Sequence, residues 1–226
     1  SAWQRLIIML GGVTVNFILA FIIYIGMAFA YGDAFVAMAD MKDGLLIENP
    51  VMNKIGFQTG DKILSIDGEK IEKYDNEINM KLIMGKQVQI ERNGAAQTIQ
   101  MPVDLVDQLS KLEKGPLVNI RMPFAVTAIP EESLNKQLQP KDVIVSMNGQ
   151  PAKYYDQVKA ILNANKGKTL PAVVIRNEKE VPVQVIVNQE AKLGIQMGSL
   201  GLETIEKLGY YKISKQEYGF FESIPV

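Results

Sequence analysis

Residues 6–32 carry no Asp, Glu, Lys or Arg, and apolar side chains dominate the run. As a helix this stretch reaches roughly 40 Å, more than the ~30 Å hydrocarbon core of a bilayer. A cleaved signal peptide has a shorter apolar region, and "AFAYG" is only a faint cleavage site. The pattern therefore predicts a transmembrane helix over 1–32, with Trp3, Tyr24 and Tyr31 suited to the interfaces. Arg5 precedes the run, and Asp33 and Asp40 follow it. The positive-inside rule places its start in the cytoplasm and the rest of the chain outside. Gly12 and Asn16 stand one helical turn apart and share a face. Either the small residue and the amide pack against another helix, or the amide is aimed at an intramembrane site. Both readings need partner helices, which this chain does not supply.

Beyond residue 33 the pattern changes to short alternating runs broken by Gly, Pro, Asn and Asp, and it repeats. "IGFQTGDKILSIDGEKIEKYD" (55–75) matches "KQLQPKDVIVSMNGQPAKYYD" (136–156) without a gap. Asp61 falls on Asp142, Ser65 on Ser146, Gly68 on Gly149 and Tyr74 on Tyr155. Two further matches follow in the same order, "VQIERNG" (88–94) with "VVIRNEK" (173–179), and "VNIRM" (118–122) with "LGIQM" (193–197). Collinear matches of this kind predict a tandem duplication. Each copy reads as an apolar strand, a Pro-containing turn with a short helix, an alternating strand, a helix and a closing hairpin. Asp67-Gly68 and Asn148-Gly149 are tight-turn signals, and Asn93-Gly94 and Asn177-Glu178 mark the hairpins. In the second copy Gln137 and Lys141 replace Gly56 and Gly60, so an altered turn is expected there. The run "VDLVDQLSKLEKG" (103–115) has Leu105, Val106, Leu109 and Leu112 at helical spacing and ends at Gly115-Pro116. The stretch "GSLGLETIEKLGYYKISKQ" after Met197 reads as a tether.

Composition narrows the chemistry. The 226 residues suffice for two small domains and a membrane segment, and 47% hydrophobic content excludes a polytopic transporter. Net charge is −1, with no basic stripe, so nucleic acid is not an expected partner. The chain has no Cys and no His. Disulfides, thiol nucleophiles and a Ser-His-Asp triad are therefore impossible, and a zinc site would have to use carboxylates alone, which zinc rarely does.

"GFQTGDKILSIDG" closely resembles the signature stretch of bacterial PDZ domains. "AWQRLIIMLGGVTVNFILAFIIY" resembles the second transmembrane helix of site-2-type intramembrane zinc proteases, in which Gly-x-x-x-Asn follows a Trp-x-Arg entry. The order helix, PDZ, PDZ is similar to the regulator-of-sigma-E protease branch, and "YGFFESIPV" (218–226) resembles that branch's lead-in to its next membrane helix. The resemblance covers essentially the whole chain. It implies an α+β fold, one transmembrane helix followed by two circularly permuted PDZ domains, each a small β-barrel or sandwich with short helices. The implied boundaries are 1–32 for the helix, 33–122 and 123–199 for the two domains, and 200–226 for a tether toward a further membrane segment.

The resemblance also implies a function. Gly12 and Asn16 would lie near the catalytic chamber, beside the helix that carries the family's His-Glu-x-x-His zinc motif. That motif and the family's Asp ligand are absent, so zinc belongs to the longer parent and the present chain is a piece without protease activity of its own. The parent would sit in the bacterial inner membrane and cleave membrane proteins such as anti-sigma factors, with the PDZ region on the periplasmic side. Its partners would be the remaining transmembrane helices, the lipid bilayer, and a membrane-protein substrate or its trimmed C-terminus. PDZ recognition adds a peptide strand beside a helix and captures its terminal carboxylate on loop N–H groups. In the second domain the loop would be Leu193, Gly194 and Ile195, with Val158 and Leu162 opposite. In the first it would be Val118, Asn119 and Ile120, with Ile78 and Leu82 opposite, where Asn119 departs from the expected Gly. For each apolar residue here the alternative is core packing, and the pair could instead act as a size filter against bulky external domains. Outside the family, the same order suits a non-enzymatic, membrane-anchored PDZ adaptor of envelope assembly or secretion. The tail of an external PDZ-bearing serine protease fits less well, because little chain separates helix and first PDZ.

Overall fold

The computed structural model describes residues 2–31, 33–75, 77–112 and 115–216. The first element is α1 (Ala2–Tyr31), 30 residues long. Its side chains are described at Trp3, 11–27 and 29–30. Val13, Phe17, Ile18, Leu19, Ile22, Ile23 and Met27 all stand exposed, so these apolar side chains are not buried against the other described residues. Over the described residues, no helix is both long and apolar enough to cross a membrane. The expected lead-in at 218–226 lies outside the described residues.

The first unit then follows as β1 (Asp33–Ala37), a 3-10 turn (Met38–Asp40), β2 (Leu45–Leu46), α2 (Pro50–Ile55), β3 (Lys62–Ile66), β4 (Glu69–Lys70), β5 (Lys73–Tyr74), α3 (Ile78–Met84), β6 (Gln87–Arg92), β7 (Ala95–Gln100), α4 (Leu105–Ser110) and β8 (Asn119–Ile120). The second unit has β9 (Phe124–Ala128), β10 (Val143–Met147), β11 (Gln150–Pro151), α5 (Tyr155–Ala164), β12 (Thr169–Arg176), β13 (Lys179–Ile186) and β14 (Gln196–Gly198). The chain closes with α6 (Leu202–Lys207) and β15 (Ile213–Gln216). The result is a mixed α/β molecule. Its sheets run β4-β3-β6-β7 and β2-β8 in the first unit and β13-β12-β10-β9-β14 in the second, with β15-β1-β5 joining the chain's two ends.

Local chemistry explains several of these elements. Asn49 caps α2, its Oδ1 accepting from the N–H groups of Val51 and Met52, and Pro50 supplies a preset first helical residue. The 103–115 run forms the short helix α4 as its spacing predicts. Fully buried Phe57, Leu45, Met52, Ile63 and Ile90 centre the first core, and Ile144, Met147, Val158 and Val174 the second. Each such side chain contributes about 1.5–3 kcal/mol by leaving water.

The two units repeat in detail. Leu45 N–H donates to Asp61 O and Gly60 N–H to Leu45 O; Val126 and Asp142, and Lys141 and Val126, repeat both bonds. The β3–β6 ladder slips between Ile63 and Ser65, and the β10–β12 ladder slips between Ile144 and Ser146, so one bulge occupies the same place in each copy. Asp67-Gly68 and Asn148-Gly149 both have positive φ at each residue, the type I′ geometry that fits strand twist.

Three features differ from the sequence expectation. The second copy has no short helix between β9 and β10, where the first has α2; residues 131–141 form turns there. Lys141 adopts φ +75° where the first copy has Gly60 at +103°, so the turn is kept and a lysine carries its strain. The stretch read as a tether is structured up to Gln216: α6 packs Ile205 into the first unit's core, and β15 pairs antiparallel with β1 along Asp33–Val36.

Candidate functional site

An ion pair fixes the turn that opens each unit's central strand. Asp61 and Asp142 are both fully buried. Arg92 grips Asp61 with Nε and Nη2 at 2.7 Å each, and Arg176 grips Asp142 at 2.8 and 2.6 Å. The same carboxylates accept from Gln58 N–H and Gln139 N–H at 2.8 Å. The arginines also donate to Gly56 O and Gln137 O, closing the turn against the hairpin. The bidentate geometry satisfies both oxygens, which a buried carboxylate requires. The sequence marks the aspartates as turn residues but does not pair them with arginines. The signal was present, since both Arg residues lie in the matched hairpin segments.

The loop-and-helix geometry expected to hold a peptide end differs between copies. In the first, Asn79 of α3 turns its Oδ1 onto the N–H groups of Leu117 and Val118, at 2.8 and 3.1 Å. Tyr74 donates to Asn119 Oδ1 at 3.1 Å. The loop is thus already filled by an oxygen of the chain itself. Asn119 sits in β8 without a positive φ, so its role is the side-chain bond rather than an unusual backbone angle. Ile78, Leu82 and Val118 lie in the core, and Ile120 is half-buried against it.

In the second copy the loop is open. Gly194 has φ +63°, and a Cβ there would meet only Ser133 Oγ at 3.9 Å. Backbone angle, not space, therefore demands the glycine. Lys192 N–H is taken by Asn188 Oδ1 at 2.8 Å. Among the described residues, no acceptor pairs with the N–H groups of Leu193 or Gly194. Asn135, buried and unremarked in the sequence, positions this loop: its Nδ2 donates to Leu193 O at 2.7 Å and to Ile186 O at 2.9 Å, while its Oδ1 accepts from Ile186 N–H. Val158, Leu162 and Leu193 are core residues, with Ile195 packed against them, and within the loop Gly194 is the exposed position. β14 ends its sheet, leaving a strand edge next to the loop. A cavity of about 720 Å³ elsewhere, over β3 and β6, is lined by Lys62, Gln87, Gln89 and Glu91 and does not reach the loop.

The units meet through polar groups. Asp43 accepts from Lys153 Nζ and Tyr154 Oη, both at 2.6 Å. Burial would raise the Asp43 carboxyl, but these two hydrogen bonds together with the charges of Lys153 and Arg121 outweigh it and hold the group below its ordinary value. Arg121 bridges Asp43 O and Asp156 and lies 4.3 Å from the centre of the Tyr154 ring. Tyr211 donates to Arg121 O at 2.7 Å, and burial pushes its hydroxyl up to about 12. Lys159 of α5 reaches Glu48 of the first unit at 2.9 Å, and that bond raises the lysine's pKa.

Gly12 and Asn16 are exposed on α1, and among the described residues nothing outside the helix backbone comes within 4 Å of the Cβ position of Gly12. The chain holds no His or Cys, and among the described residues no three carboxylates converge as a metal site. The donor set here does not fit zinc.

No known family profile matches the chain. It is 35% identical over 89 residues to a protein of Clostridium perfringens named provisionally as a zinc metalloprotease, covering 39% of this chain and 25% of that relative. A protein of Rhizobium meliloti with the same style of name is 32% identical over 124 residues, 51% of this chain and 32% of the relative. One of Neisseria meningitidis is 25% identical over 184 residues, 74% of this chain and 39% of the relative. The chain thus spans between a quarter and two fifths of the curated relatives it matches. Among solved structures, the PDZ domain of an SdrC-like protein of Listeria monocytogenes overlaps 36% of this chain and 90% of that domain. The TM-score is 0.29 and the identity 13%, an overlap too loose to define a fold.

Proposed function

We propose that this chain is the membrane-anchored gating and recognition segment of a bacterial inner-membrane zinc protease of the site-2 type, with two tandem PDZ domains. One observation carries the reading: a 30-residue helix with exposed apolar side chains leads directly into a duplicated unit, in a chain similar to three proteins named as zinc metalloproteases. In this reading α1 crosses the inner membrane, with Gly12 and Asn16 facing the parent's other helices. The exposure of its apolar side chains supports that, since water is a poor solvent for such a surface. The two units stand on the periplasmic side. They bar membrane proteins that still carry bulky external domains and admit trimmed ones, such as processed anti-sigma factors.

The second unit is the better peptide site. The exposed Gly194 N–H, unpaired among the described residues, suits a carboxylate, and the edge of β14 suits an added strand. Zinc and its ligands belong to the remainder of the parent, where the bound ion would activate water for hydrolysis. The test is the full-length gene product, purified in detergent. It should hold zinc and cleave a membrane-embedded substrate in a chelator-sensitive way. A product that holds no zinc and cleaves nothing would leave the membrane-anchored adaptor as the better account.

A further inference from the structure

The two copies finish their sheets differently. β7 and β13 are the outer strands of the two closing hairpins, and each ends its sheet. In β13 the outward-facing groups are taken or missing. Pro182 has no N–H to offer, Gln184 N–H donates to Gln137 Oε1 at 3.2 Å, and Asn135 engages both the N–H and the C=O of Ile186. Lys179 and Glu180 add charge at the start of the strand. The first copy has none of these guards. Matched through the hairpins, Thr98 stands at the place of Pro182 and Gln100 at that of Gln184, while Gly56 stands where Gln137 supplies its amide. The hairpin turn fixes which groups of β7 face out. Arg92 and Ala95 flank the two-residue Asn93-Gly94 turn, so they exchange both hydrogen bonds. Ala96, Thr98 and Gln100 then turn their N–H and C=O groups away from β6. All three residues are exposed, and among the described residues none of these outward groups has a partner. The opposite edge of the sheet, β4, is two residues long and both are charged.

We propose that β7 is a pairing edge and that its occupant is β7 of a second copy of this chain, joined antiparallel about a two-fold axis. The strand carries no charge and no Pro, so two copies meet without like-charge repulsion and without a missing donor. The outward groups set the register. Thr98 opposite Thr98 puts Ala96 opposite Gln100 on both sides, and this arrangement uses the outward N–H and C=O of all three residues in each copy. A slip of two residues either way leaves some of them unpaired. The contact is isologous: the same strand serves both sides, and the pair closes on itself. It joins two four-stranded sheets edge to edge. A six-residue edge buries little area, so the association is weak and reversible. The guarded β13 keeps the second unit out of such pairing.

The test is sedimentation equilibrium of the whole chain in density-matched detergent, where a reversible dimer is expected. Thr98→Pro copies the residue at the matching place of β13 and removes no bond within the hairpin. It should keep the fold and weaken the dimer by about tenfold or more. Thr98→Lys and Thr98→Glu each set like charges face to face and should weaken it roughly two- to fivefold. An equimolar mixture of those two chains should recover the affinity of the unsubstituted one. The chain has no Cys, so Thr98→Cys introduces a single thiol. Facing Cα atoms of a hydrogen-bonded pair lie about 5.5 Å apart, within reach of a disulfide. That variant should oxidise to a covalent dimer, whereas Glu180→Cys on β13 should not. A chain that stays monomeric up to about 1 mM would overturn the proposal and leave the edge to an extended segment of another protein. A dimer indifferent to Thr98→Pro would overturn it too, because the contact would then lie elsewhere, as between α1 helices.

Discussion

At the residue scale, the buried Asp61–Arg92 and Asp142–Arg176 pairs are the strongest local determinants. Asp142→Ala would leave the Arg176 guanidinium, 20% exposed, without its partner and would free Gln139 N–H. The expected loss is about 3–5 kcal/mol of the second unit's stability, measured by urea unfolding. A loss below about 1 kcal/mol would show that the pair does not hold the turn. Lys141 offers the opposite test. At φ +75° a lysine carries strain that glycine lacks, so Lys141→Gly should stabilise by roughly 0.5–1 kcal/mol once glycine's greater unfolded-state freedom is subtracted. Replacing Gly60 by lysine should destabilise the first unit. The aspartates and the turn glycines were readable in the sequence because they recur at matched positions. Asn79, Asn135 and the Glu48–Lys159 pair were not, because their roles depend on which loop a side chain reaches across the fold, and no local pattern encodes that.

At the element scale, the alternating strands, the paired helices α3 and α5 and both hairpins follow from periodicity and turn chemistry. The closing segment does not. Its pieces are short, and α6 is marked only by the spacing of Leu202, Ile205 and Leu208, too brief to separate helix from loop. Its partner strand β1 lies at the far end of the sequence. In the structure this segment acts as a clasp: β15 pairs with β1, while Tyr210 and Tyr211 pack on Tyr154 where the two units meet. Ending the chain before Leu200 should expose the edge of β1 and the ring of Tyr154. Amide exchange along Ala34 to Val36 and around Tyr154 should then accelerate at least tenfold, while the strands β12 and β13 keep their protection. Unchanged protection at Val36 would show that the clasp is not structural.

At the scale of the whole molecule, β1 begins where α1 ends, and β15 brings the chain back to β1 after both units are complete. Entry and exit of the duplicated region therefore lie side by side, with the Asp43–Lys153–Tyr154 and Arg121–Asp156 contacts tying one unit to the other. A body tied at its base and across its middle is suited to stand over a membrane site as a filter. The most direct measurement of that role compares cleavage by the full-length parent with cleavage by the same protein lacking residues 45–198. Two membrane-embedded reporters are needed, one with a bulky folded external domain and one trimmed to a short tail. The account predicts that the intact protein cleaves the trimmed reporter alone and that the deletion cleaves both. If the intact protein cleaves both reporters at equal rates, or if the deletion still refuses the bulky one, this chain is not the gate.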